Sequence, residues 1–478
     1  MAILYFASGF PLGIFYDLLP VYFRQQGIEL RQIGLLSLLG LAWTLKFLWA
    51  PAIDHYRRHR KWMFIANLIM ASVMLYLAVH HGFDASVWLV IGIFTLSSAT
   101  NDIAIDGYTL EHLKKNEMGL ANGVRIGFYR VGMLAAGVVL ILSAFISWSG
   151  AYITAALIFG ASGFICLGAP KEKIYAHTPS LTLLAELQEL FLLPRAFATV
   201  LIFALGTLWL INSGAHWSAT IPYFWTKSVI TALLIFLASL IARAWLPPIS
   251  ASERKLTQGP LFGALMELLR RPHIIPVIIF ILIFKLPDTA IGFMIKPFWV
   301  DSGFTAGEIG FISVNLGIAF SVAGGLAGGW ITDKIGIFRS LWISGLLQAL
   351  PNLVYALAAS VVPKAAMGAP ILFKYKLLIY SASVAESFAG GLGTAAFLAF
   401  LMAIINKKRA ATEFALLSSV FALSRSLAGW ASGFGAQNLG YASYFLLTFF
   451  LLLPAYLFLP WVKKMLHYAA ARKDWDQT

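Results

Sequence analysis

VWLVIGIFTLSSATNDIAIDGYTL, Val87 to Leu110, is apolar over its first part and then carries Asn101, Asp102 and Asp106. Four residues apart, Asp102 and Asp106 share one face of a helix. The stretch is long enough to span a membrane, because roughly 20 residues of helix cross the hydrocarbon layer. An acidic side chain at bilayer depth costs about 2.5–3.5 kcal/mol on insertion scales. Such groups therefore face partners or a wet cavity, and they mark ion and substrate pathways. The fold class that follows is all-α and polytopic, a helical bundle in lipid with charge inside it.

The rest of the chain agrees. Of its 478 residues 60% are hydrophobic and 12% charged, about half the roughly 25% charge of soluble domains. The alternating pattern of a membrane β-barrel is absent. The single cysteine, Cys166, rules out an intrachain disulfide and a thiolate metal site. The nine histidines show no metal-ligand spacing. The net charge of +14 does not point to nucleic acid, because the basic residues gather in loops on one side.

Apolar runs predict helices near 2–23, 32–53, 62–80, 87–109, 120–146 and 150–169. Two more fall near 197–213 and 228–246, and six near 274–299, 308–332, 340–360, 376–404, 412–435 and 441–462, about fourteen in total. One set of loops and the chain end hold twenty-two basic residues, among them Arg57, Arg58, Lys407 and Lys408. The other set holds six: Arg24, Arg31, Lys227, Lys364, Lys374 and Lys376. The positive-inside rule then puts both termini in the cytoplasm. The first apolar run lacks a charged n-region and a cleavage site, so it is expected to remain as a helix.

The chain repeats itself. Gly27, Ile33, Gly34 and Ser37 match Gly303, Ile309, Gly310 and Ser313 at a constant offset of 276 residues. A fainter echo relates YRVGMLAAG around Arg130 to SRSLAGWASG around Arg425. Repeats of this size in an all-helical membrane chain mark secondary transporters. The expected domains are a six-helix bundle over 1–170, a central segment over 171–273, and a second six-helix bundle with a short tail over 274–478. The central segment holds the two extra helices and two amphipathic stretches, LTLLAELQELFLL and LFGALMELLRRP, expected at the cytoplasmic surface.

FASGFPLG, KFLWAPAID, ATNDIAIDGY, GFYRVGML, FKLPD, GGLAGGWITDKIGIFRS and GGLGTAAFLAFLMAIINK stand in this order. Together they resemble the muropeptide permease (AmpG-like) family of the major facilitator superfamily, related to acetyl-CoA and peptide transporters. The resemblance implies the major facilitator fold, two six-helix bundles, here with two extra transmembrane helices. It further implies proton-driven import of anhydromuropeptides (GlcNAc–anhydroMurNAc peptides) from periplasm to cytoplasm across the bacterial inner membrane. The alternative is a related importer of a siderophore, an acetyl-CoA-like anion or a peptide. No cofactor is expected beyond the proton gradient. The expected partners are lipid and a small anionic sugar-peptide, with the chain acting as a monomer. An enzyme is not expected, because the non-cytoplasmic loops are short and the acids buried.

The resemblance carries over Asp102, Asp106, Arg130, Lys285, Asp288 and Glu386 as cavity residues. Asn101, Lys46, Arg125 and Arg425 complete the set of polar groups and counter-charges. Competing readings stand beside these. Asp102 and Asp106 suit static pairs with Arg125 or Arg130. Lys285 and Asp288 suit a mutual i,i+3 pair. Lys46 suits snorkelling to the interface. Arg130 and Arg425 suit forked binding of a carboxylate. Asp17 is a further acid with no matching family motif. Tyr16, Trp43, Trp49 and Tyr129 suit stacking on sugars or an interfacial belt. The superfamily's loop motif is matched by Gly329, Asp333, Lys334, Gly336 and Arg339, and in degenerate form at Asp54, as a gate or as ordinary helix capping. Gly324, Gly325, Gly328 and Gly329 suit close helix packing. Gly390, Gly391 and Gly393 lie in an apolar helix without a P-loop lysine, which excludes a nucleotide site there.

Overall fold

The computed structural model describes residues 1–46, 49, 53, 58–80, 82–112, 118–171, 262–366, 368–405 and 410–475. Among these, nine helices are long and apolar enough to cross a membrane, and a shorter apolar helix spans Leu30–Leu45. In chain order they are α1 (Ala2–Gln25), α2 (Leu30–Leu45), α3 (His59–Val79), α4 (Ser86–Thr109) and α5 (Gly127–Leu167). The second group comprises α6 (Ile274–Asp301), α7 (Ala306–Ile335), α8 (Ile337–Val361), α9 (Phe373–Ile404) and α10 (Leu416–Leu457). The described residues hold no β strand.

Two of these helices are hairpins. The backbone leaves helical geometry at Ile146 and Ser147 in α5 and at Gly440 in α10, where the sequence predicts a new helix. Counting α5 and α10 twice, the nine long helices and the shorter α2 make twelve helical segments among the described residues, six in each half. The extra pair expected at 197–246, the first amphipathic stretch and Asp54 lie outside the described residues.

The chain forms two compact units. The larger joins Met1–Tyr175, Ile278–Ile404 and Leu417–Ala470, and so contains both six-helix groups. Within the smaller, the second amphipathic stretch forms the helix Phe262–Leu269. There buried Arg271 pairs with buried Glu413 at 2.5 Å and with Glu267 at 3.8 Å.

In the larger unit α5 packs on α1 and α3, and α9 packs on α7 and α8. Small residues permit the close contacts: Gly9 and Gly132 bring α1 against α5, while Gly324 and Gly328 bring α7 against the α9 backbone. Without a hydrophobic drive inside lipid, such close approach is a main source of helix association. Gly329 faces open space, so the packing role holds for only part of that glycine run.

The sequence repeat marks the place where the halves meet. Gly27 and Gly303 take φ of 78° and 90° in the turns that enter α2 and α7, a region that favours glycine. Gly34 of α2 lies against Gly433 of α10, where a Cβ would come within 2.8 Å of the Gly433 Cα. Its partner in the repeat, Gly310 of α7, lies against Ile141 and Gly137 of α5, where a Cβ would come within 2.9 Å of the Gly137 carbonyl oxygen. The same end carries a forked ion pair. Arg24 Nε and Nη2 donate to the two Asp301 carboxylate oxygens at 2.6 Å each, and the Tyr441 hydroxyl donates to Asp301 at 2.8 Å.

These contacts give a test. Gly34→Ala pushes backbone from backbone and is expected to cost about 1–3 kcal/mol, read as a lower thermal midpoint of the detergent-solubilised protein. Gly329→Ala meets nothing and gains helix propensity, so its midpoint should hold or rise by the equivalent of about 0.5–1 kcal/mol. Equal midpoints for the two variants would contradict the packing.

Candidate functional site

A cavity of about 340 Å³ lies within the larger unit between the two six-helix groups. Its charged lining comes from both: Asp17 and Arg130 from the first, and Lys285, Asp288, Lys296, Glu386 and Arg425 from the second.

Local backbone irregularity aims these groups. Residues Ile14–Leu18 of α1 form a π-helical turn containing Tyr16 and Asp17. Pro20 has no N–H for the Tyr16 carbonyl, which loosens the ladder at this point. In α6 the regular helix is interrupted at Lys285, two residues before Pro287. The Thr289 backbone N–H and its Oγ1 both donate to the Lys285 carbonyl, at 2.9 and 2.8 Å. In α7 the segment Ile309–Leu316 is again π-helical and brings Ser313 to the cavity wall. Such turns recur at functional sites because they re-aim side chains.

The charges fall into three arrangements. Lys296 Nζ reaches Asp17 Oδ1 at 2.9 Å, an ion pair across the halves. Lys285 Nζ reaches Asp288 Oδ2 at 2.7 Å within α6, with Gln348 Oε1 at 3.1 Å and the Gly390 carbonyl at 3.4 Å. The mutual pair read from the i,i+3 spacing is therefore present. Arg130 and Arg425 form no ion pair and no hydrogen bond among the described residues; the Arg425 guanidinium instead lies 4.0 Å from the Tyr16 ring centroid. Glu386 likewise has no cation within ion-pair distance among the described residues and accepts from Ser387 Oγ at 3.3 Å.

The other expected site residues lie elsewhere, inside the first half. Buried Asp102 accepts from Ser8 Oγ at 2.5 Å, with Lys46 Nζ at 3.9 Å. Asn101 donates to the Ala7 carbonyl and accepts from Asn67, both at 3.1 Å. Asp106 meets Arg125 at 3.4 Å, the static pair foreseen for it. Asp102, Asp106, Asn101, Arg125 and Lys46 thus form a second polar cluster that does not line the cavity. In the loop motif, Asp333, Lys334 and Arg339 are exposed, and Gly336 turns the chain at φ 83°. Lys334 lies over the Trp330 ring at 4.1 Å, and Asp333 has no ion pair among the described residues.

Lys296 is the residue that sequence reasoning missed. A lone Lys near a helix end reads as snorkelling. A usable signal was its spacing: 285, 288, 292 and 296 recur on one face of α6. Tyr16 and Tyr129 line the cavity, whereas Trp43 and Trp49 do not.

The chain matches the Major Facilitator Superfamily over residues 1–229. It is 26% identical over 480 residues to the anhydromuropeptide permease of Escherichia coli strain K12, covering 98% of this chain and 80% of that protein. It is 27% identical over 475 residues to the putative transporter AmpG 1 of Rickettsia prowazekii, covering 96% of each. Among solved structures, the POT family transporter PepTSo superposes with a TM-score of 0.68 at 11% identity, over 97% of this chain and 98% of that one. The chain is a secondary transporter with the major facilitator fold. The resemblance to AmpG-like permeases read from its motifs holds over nearly its full length. So does the reading of a membrane carrier rather than an enzyme.

The Asp17–Lys296 pair yields a prediction of sign. Lys296→Met strands a buried carboxylate and is expected to cost about 3–5 kcal/mol, and Asp17→Leu with Lys296→Met should recover most of that loss. Thermal midpoints of the single and double variants check it. A double variant no better than the single would refute the pairing.

Proposed function

We propose that this chain is a proton-coupled importer that carries anhydromuropeptides from periplasm to cytoplasm by alternating access. One observation carries the reading: a cavity between the halves holds two guanidinium groups, Arg130 and Arg425, with no carboxylate partner among the described residues. Two such cations facing a common space favour an anionic cargo, which Arg binds in a forked geometry. Muropeptides are anionic through their peptide and lactyl-derived parts. The relatives named anhydromuropeptide permease and AmpG support that cargo.

Coupling needs a carboxylate whose charge no cation locks in place. Asp288 is held by Lys285 at 2.7 Å, and Asp17 by Lys296 at 2.9 Å. Glu386 in the cavity and Asp102 in the neighbouring cluster are free of so close a cation. These two are the proposed proton carriers, with the proton gradient as driving force and no cofactor. The chain works as a monomer in the bacterial inner membrane with both termini cytoplasmic, an orientation supported by the one-sided basic loops.

Uptake of labelled anhydromuropeptide into vesicles, with and without an imposed pH gradient, tests cargo and coupling together. Accumulation should require the gradient. Asp102→Asn and Glu386→Gln should each abolish gradient-driven accumulation while the protein still folds and inserts. Undiminished accumulation by either variant removes that residue from the mechanism. Failure of the wild type to take up muropeptide, with uptake of a siderophore, an acetyl-CoA-like anion or a peptide, would move the cargo to that class.

A further inference from the structure

Arg425 shares its cavity with Asp17, Asp288 and Glu386 yet forms no ion pair among the described residues. A guanidinium in reach of a carboxylate gains most by forking onto it. Asp17 follows Tyr16 directly in the π turn, yet Asp17 is taken by Lys296 at 2.9 Å. Arg425 rests on the Tyr16 ring instead, its central carbon 4.0 Å from the centroid. A ring engages a guanidinium without using its N–H groups. The donors of Arg425 therefore stay available to a ligand in the cavity that both residues line.

The ring is itself fixed. Phe15 packs edge-on to it at 4.8 Å and 87°, and Phe293 from the other half at 5.6 Å and 71°. Trp43 lies 6.0 Å away. The hydroxyl end projects over Gly40, where a Cβ would come within 2.9 Å of the phenol oxygen. A rigid aromatic platform on one half thus supports a cation from the other. Arg130, the counterpart of Arg425 in the faint repeat, has no such ring contact among the described residues.

We propose that Tyr16 is a positioning residue that holds the Arg425 guanidinium flat as a preorganised fork for a cargo carboxylate. This rests on the anionic-cargo reading and deepens it. Preorganisation of this kind raises affinity by sparing the ordering of a long side chain on binding.

The test compares two probes on the purified protein: an anhydromuropeptide with free peptide carboxylates, and the same molecule with those groups converted to amides. Tyr16→Leu should weaken binding of the acid by about tenfold, as loss of a partly desolvated cation–π contact implies, and leave the amide unchanged. Tyr16→Phe keeps the ring and should retain the preference for the acid, a rescue that simple loss of packing does not predict. Equal losses in both variants, or no loss in Tyr16→Leu, overturn the proposal. Arg425→Met separates the two readings. If it leaves acid binding intact, anion recognition by Arg425 falls, and the positioning role with it. If it removes the preference while Tyr16→Leu does not, only the role of Tyr16 falls. Should the wild type bind neither probe, structures of Tyr16→Leu and Tyr16→Phe decide the matter without cargo. Arg425 is expected to leave its place in the first and keep it in the second; an unmoved guanidinium in Tyr16→Leu overturns the proposal.

Discussion

Charge buried within a hydrocarbon layer must find either an opposite charge or water, and the larger unit of this protein is arranged around that demand. Asp17 from one half meets Lys296 from the other at 2.9 Å. Lys285 meets Asp288 one turn along α6 at 2.7 Å. These pairs let a chamber between two apolar bundles carry seven ionisable side chains without stranding all of them. What they leave uncompensated, Arg130, Arg425 and Glu386, is the part with chemistry to offer a solute. The irregular turns in α1, α6 and α7 serve the same end, because a regular helix would hold these side chains at fixed 100° steps.

A different economy governs the polar cluster inside the first half. There Asn67 donates to Asn101, Asn101 to the Ala7 carbonyl and Ser8 to Asp102, across α1, α3 and α4, while Lys46 from α2 approaches Asp102 only to 3.9 Å. The amide bonds tie helices of a single bundle. The ion pair of the cavity ties one bundle to the other. A buried hydrogen-bonded network specifies packing, and Asp102 is the member with the loosest counter-charge.

Much of the fold was legible because lipid imposes length and polarity on every crossing. The breaks at Ile146–Ser147 and Gly440 fall where the apolar runs were expected to divide. The repeat was legible because its glycines stand where a positive φ, at Gly27 and Gly303, or a close approach, at Gly34 and Gly310, favours glycine. Arg130, Lys285, Asp288, Glu386 and Arg425 were expected in a cavity and line one. Asp102, Asp106, Asn101, Arg125 and Lys46 were grouped with them and instead sit apart. Helical spacing reports which face a residue occupies, but not whether that face looks into its own bundle or toward the other. Lys296 escaped for the same reason, since its acid, Asp17, lies 279 positions away in sequence.

The paired glycine contacts have a mechanical consequence. At Gly34 on Gly433 the halves touch backbone to backbone; at Gly310 on Gly137 the Ile141 side chain joins the contact, and the Asn315 side chain fills the space that a Cβ on Gly137 would need. Interlocked surfaces can part only after rotamers unwind and knobs withdraw, which raises an activation barrier. The Gly34–Gly433 contact has nothing to withdraw, whereas Asn315 must leave Gly137 before the other contact opens. The first contact therefore resists separation less than the second, and the fork of Arg24 on Asp301, which crosses between the halves at the same end, is a bond that can detach and re-form.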